Sequence, residues 1–111
     1  MKRPEELKSK TVRMPTGHGN LYVTMSEHEG KLFEVFATIG KAGDSIMAKA
    51  EVTGRLVSLA LRHSIPIEDI IDQLIDISGS KPLADGDTVV KSIPDAVGKV
   101  LDRFYGKETE R

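Results

Sequence analysis

Two glycine-rich stretches hold the residues best suited to chemistry. In "PTGHGN", residues 15–20, His18 lies between Gly17 and Gly19 and ahead of Asn20. An imidazole flanked by open backbone amides suits three roles: a ligand contact, a base, or a plain turn residue. The base role needs a nucleophile and an orienting acid, and neither is close in sequence. In "TIGKAGDS", residues 38–45, Gly40, Lys41, Gly43 and Ser45 join an apolar run to the start of a helical pattern. Amides converging at such a bend, beside a lysine, suit a phosphate-like anion. The stretch lacks the spacing and the Lys-Ser/Thr ending of a Walker loop. Asp44 competes with an anion, because a carboxylate cap uses the same amides. Arg55 and Arg62, two turns apart on the following helix, can face a phosphate or nearby carboxylates. The candidate ligand-binding set is Gly17, His18, Gly19, Asn20, Gly40, Lys41, Gly43, Ser45 and Arg55. No catalytic residue, metal ligand or cofactor is assigned.

Other polar groups read as structural. His28 falls in a hairpin loop, and His63 lies near a helix end, where its charge meets the helix dipole. The acids of "EDIID" begin a helix. Asp85 and Asp87 flank Gly86 and suit a turn better than a cation. Met14, Met25 and Met47 are expected in the core.

A chain of 111 residues is expected to form one domain, here residues 11–106, between a flexible arm at 1–10 and a frayed tail at 107–111. Hydrophobic residues are 39% and charged residues 30%, which excludes a disordered composition. The net charge of -1 argues against a nucleic-acid partner, and no apolar run is long enough to span a membrane. The N-terminal residues are charged, so a cytoplasmic location is expected. The chain has no cysteine, which removes disulfides and thiolate chemistry.

Alternation places Leu21, Val23 and Met25 on one side of a strand and Phe33, Val35, Ala37 and Ile39 on one side of the next. A five-residue loop, 27–31, would pair Met25 with Phe33 and Val23 with Val35. It would also set Tyr22 opposite Phe36 on a face that a later helix or another subunit covers. "KTVRM" predicts a further short strand, and Pro15, Gly17 and Gly19 a turn. From Asp44 to His63 the pattern is helical and apolar around most of the circumference, which predicts the central, most buried helix, capped by Asp44 and lying on one sheet face. Glu51 and Arg55 are spaced to pair, and Gly54 implies close packing against the sheet. A second helix is predicted from Pro66 through Ile77. "TVV" suggests a short strand. A third helix starts at Ser92 and Asp95, which resemble a capping box, and carries the stripe Val97, Val100, Leu101 and Phe104. The fold class is therefore α+β: an antiparallel β-meander followed by a long buried helix and two shorter ones.

"TGHGNLYVT", "FEVFATIGKAG", "GRLVSLALR", "IIDQL" and "SIPDAVGKVL" together resemble, in this order, the TSCPD domain, over roughly residues 3 to 104. That domain closes adenosylcobalamin-dependent ribonucleotide reductases and also occurs as small separate proteins. The resemblance implies four cysteines of a metal or redox set at the places of His18, Ser45, Gly79 and Ile93, none of which carries a thiol here. It therefore implies a non-catalytic accessory or binding domain, with a nucleotide-like anion, a ribonucleotide reductase and further copies of itself as candidate partners. The alternatives are a homo-oligomeric module without a ligand and a small nucleotide hydrolase.

Overall fold

Alternating apolar and polar residues make strands of the first third of the chain, and two tight turns fold them against one another. A computed structural model describes residues 2–106; the tail at 107–111, expected to fray, lies outside them. β1 (Lys8–Thr16), β2 (Gly19–His28) and β3 (Lys31–Ile39) form an antiparallel sheet in that order. β1 is longer than "KTVRM" and includes Pro15, which an edge strand tolerates. The turn that follows is Gly17–His18 alone, since Thr16 pairs with Gly19.

The β2–β3 register corrects the expected one. Met25 pairs with Val35 and Val23 with Ala37, and Thr24 rather than Tyr22 lies opposite Phe36. The hairpin is shorter than a five-residue loop: His28 pairs with Lys31 around Glu29 and Gly30, both at positive φ (52° and 79°). Such a turn matches the twist of the strands. Continued without interruption, it would set the two apolar sets on opposite faces. The bulge prevents this. Glu27 pairs with Leu32 but Ser26 pairs with Glu34, so Phe33 is the extra residue. One inserted residue restores the alignment of the apolar sides.

α1 (Asp44–Arg62) is one continuous helix, as expected, but its place is not on a sheet face. The Ser58 hydroxyl accepts from the Val35 amide and donates to the Val35 carbonyl, each at 2.9 Å. Those backbone groups point away from β2, so α1 runs along the free edge of β3. Gly54 allows the approach: a Cβ there would lie 3.1 Å from both the Ala37 nitrogen and the Val35 oxygen. The helix thereby closes an edge that would otherwise invite another strand. Ser58→Ala leaves both Val35 groups without their partner and is expected to cost about 1–3 kcal/mol, read from urea unfolding.

α2 (Ile67–Leu74) stops short of Ile77. A small hairpin, β4 (Leu83–Asp85) and β5 (Thr88–Val90), leads to α3 (Ile93–Tyr105). α3 packs against α2, α1, β1 and β2. Its Val97, Val100 and Leu101 join Leu21, Val23, Met25 and Val35 in the core. The most enclosed helix is therefore α3, with seven buried residues, against five in the longer α1. Met47 on α1 and Phe104 on α3, both expected on buried sides, are exposed. The Lys10 ammonium lies 4.3 Å from the centre of the Phe104 ring. Among the described residues no helix covers the far face of the sheet, where Tyr22 and Phe36 remain exposed.

Glu34, beside the bulge, is 1% exposed and takes three bonds of 2.8–3.1 Å from the Arg3 guanidinium, ahead of β1. At the same bulge, Tyr105 donates to Glu27 at 2.6 Å, and burial and that carboxylate raise the phenol well above its usual range.

Candidate functional site

The sheet gathers the two glycine stretches at one end. Leu21 pairs with Ile39, so the Gly17–His18 turn and the Gly40–Gly43 bend leave the sheet on the same side. Thr16 organises the turn, accepting from the His18 amide at 3.1 Å and donating to the Gly19 carbonyl at 2.7 Å. Gly17 is pressed against the loop before β4: a Cβ there would lie 1.9 Å from the Lys81 carbonyl oxygen. His18 is half-buried and Asn20 exposed.

At the bend, Gly43 rather than Asp44 is the N-cap of α1, with no side-chain cap bond, and Asp44 and Ser45 are exposed in the first turn. Gly40 and Gly43 have neither a positive φ nor an atom within 4 Å of a Cβ. The fold itself does not require glycine at either place. Arg55 does not join this cluster. It lies ten residues beyond Ser45, about 15 Å along the helix, and pairs with Glu51 at 3.2 Å.

The namesake stretch of the resemblance, "KSIPD" here, is a clasp. Ser92 caps α3 by accepting from the Asp95 amide at 3.1 Å, and donates to the Ile77 carbonyl at 2.6 Å. The Asp95 carboxylate is fully buried and accepts from the Asp76 and Lys91 amides at 2.7 Å and from Lys99 at 2.8 Å. Lys99 also donates to the Val89 carbonyl. Burial alone would raise the Asp95 carboxyl; the bonds from Lys91, Lys99 and Asp76 outweigh it and hold the group below its ordinary value of 3.8. Only half of a capping box forms, since the carboxylate bonds the Lys91 amide instead of reaching back to Ser92. α2 has already ended at Ile75, which is extended (ψ 139°), and Asp76 follows at φ 68° with its amide bonded to Asp95.

Two of the places where the resemblance implies cysteine, Gly79 and Ile93, lie at this corner. Gly17 adjoins Lys81, and a Cβ on Gly79 would lie 3.1 Å from both the Lys91 carbonyl and the Ser92 Cβ. Ile93 is 1% exposed and packed in the core. His18, Ser45, Gly79 and Ile93 do not make a tetrahedral donor set. Among the described residues no group of three or more His, Cys, Asp or Glu is placed to hold a metal. The residues do not fit the metal that the resemblance implies.

The remaining feature is α1 itself. Val52 (49% exposed), Leu56 (60%) and Leu59 (49%) point away from the buried Ala50, Thr53, Gly54 and Val57. A groove of about 820 Å³ runs between α1 and β3, lined by Phe36, Met47, Arg55, Leu59 and Arg62 among others. A second, of about 440 Å³, runs between α1 and α2, lined by Val52, Leu56, Ile65 and Ile77 among others. α1 is thus an apolar ridge between two grooves. The signal in the sequence is the spread of apolar residues around most of the helix, which predicts burial on every side, whereas Val52, Leu56 and Leu59 are exposed. Among the described residues no helix is long and apolar enough to cross a membrane.

A three-stranded meander, edged by a long helix and backed by a clasped C-terminal helix, defines a small α+β module. The chain belongs to the TSCPD domain family, whose model matches residues 1–105. No curated relative and no solved structure matches it.

Proposed function

We propose that this chain is a non-catalytic accessory module of its family that works by association through the outward side of α1. The observation that carries this reading is the second apolar stripe of α1. A helix apolar on both sides is normally enclosed on both, and the described residues enclose one side here. The groove beside β3 adds Arg55 and Arg62, which give an apolar contact a charged rim. The candidate partners are a ribonucleotide reductase chain, by family resemblance, and another copy of this protein. Leu59→Glu, at an exposed position, is expected to keep its circular dichroism and to lose association with either, read by sedimentation velocity. Association that survives this substitution would sink the reading, as would a wild type that binds neither.

A second reading is favoured by the unexplained glycines. Gly40 and Gly43 leave open backbone beside Lys41 at the start of α1, on the same side of the sheet as the His18 turn. That arrangement suits a nucleotide-like anion. A nucleotide at 100 times its dissociation constant would then stabilise the fold by about 2.7 kcal/mol in a thermal-shift assay. No shift across a nucleotide panel would remove this reading and leave the first intact. Nucleotide turnover in the same samples would support a small hydrolase instead.

A further inference from the structure

We infer that α1 pairs with α1 of a second copy, antiparallel, across a two-fold axis near Arg55 and Leu56. The inference rests on the association reading and names its partner. The outward positions Ala48, Val52, Arg55, Leu59 and Arg62 are all exposed and follow one another at steps of four, three, four and three residues. That is the spacing of a helix–helix seam. It lies back to back with the inward stripe of Ala50, Thr53, Val57 and Ala60, so α1 has one seam for its own domain and one left over.

Two observations select a second copy as the occupant. The first is the order of charge along the seam. Glu51 precedes the midpoint and Arg62 closes the helix, both exposed and on the flank that faces β3. Reversing one helix against another brings Glu51 to the partner's Arg62 and Arg62 to the partner's Glu51. An isologous contact requires this self-complementarity. Val52 then meets the partner's Leu59. Arg55, near the axis, bonds the same Glu51 of its own chain at 3.2 Å, so each carboxylate lies between two guanidinium groups.

The second observation is the surface on offer. α1 has 19 residues, about 28 Å at 1.5 Å per residue. Phe36 on one side and Ile65 and Ile77 on the other extend the apolar surface into the flanking grooves. A helix of this length with such flanks offers one continuous apolar strip, the kind of surface that the core of a dimer interface buries. Strand addition does not compete at the centre of β3, because Ser58 occupies the outer groups of Val35.

Sedimentation equilibrium of the full chain tests the pairing. The wild type is expected at the mass of a dimer and Leu59→Glu at that of a monomer with an unchanged circular dichroism spectrum. Glu51→Arg and Arg62→Glu are each expected to weaken the dimer about tenfold, equivalent to roughly 1.4 kcal/mol. The double reversal is expected to regain most of that loss, which a merely structural effect would not do. A folded monomeric wild type overturns the inference and leaves association with a different partner standing. A dimer indifferent to Leu59→Glu overturns both. Failure of the double reversal to restore affinity overturns the antiparallel pairing.

Discussion

Asp95→Ala is expected to lower stability by about 3–5 kcal/mol, the usual cost of breaking a buried charge pair. The substitution leaves the Asp76 and Lys91 amides without their acceptor and strands the Lys99 ammonium beside them. A domain of this size has about 5–15 kcal/mol in all, so the urea midpoint should fall steeply. Asp95→Asn keeps one acceptor oxygen and is expected to lose less. Acid provides an independent check. The folded carboxyl lies below its ordinary value of 3.8, so between the two values the unfolded chain binds the proton more readily. The contribution of Asp95 is therefore complete well above pH 3.8 and is lost as pH falls through the folded value. The asparagine variant should show a flatter loss of stability over that acidic range than the wild type. Equal acid slopes, or a wild-type midpoint in the alanine variant, would remove the clasp as a stabilising device.

Gly54→Val is expected to cost about 3 kcal/mol, near the upper end for overpacking. The added Cβ alone would stand 3.1 Å from the Ala37 nitrogen and the Val35 oxygen. Both are backbone atoms of a strand already held by β2, so the helix has to move instead. That movement also pulls Ser58 from Val35. Lys49→Val, on an exposed turn of the same helix, tests propensity alone and is expected to cost under about 1 kcal/mol. For a domain of about this length, 1 kcal/mol corresponds to roughly 4–8 °C in melting temperature, so thermal melts should separate the two variants clearly. Similar melting temperatures would contradict the close approach of α1 to β3.

Both positions show how far a signal in the chain can be followed. Gly54 implied close packing against the sheet, and the structure bears this out. It did not say which part of the sheet, and the helix flanks an edge rather than covering a face. Ser92 and Asp95 marked the start of α3, and Ser92 does cap it. Their other partners, Ile77 and Asp76, lie on a segment 15 and 19 residues earlier, beyond the reach of any local capping pattern. The candidate ligand residues were divided in the same way. The glycine stretches at 17–20 and 40–45 share one end of the sheet, while Arg55 belongs to the α1 ridge.

By itself, the sequence determined what depends on local period: three strands, three helices, their order, and the apolar sides of β2 and β3. Alternation and helical spacing are properties of neighbouring residues, so no distant contact is needed to read them. Only the tertiary structure decided the register of β2 against β3, because a two-residue turn and a single extra residue at Phe33 compensate in ways that alternation alone does not reveal. It also decided which apolar residues of α1 remained outside. Hydrophobicity shows that a side chain gains by leaving water. Which surface takes it in depends on where the other elements settle, and for Val52, Leu56 and Leu59 no element among the described residues does.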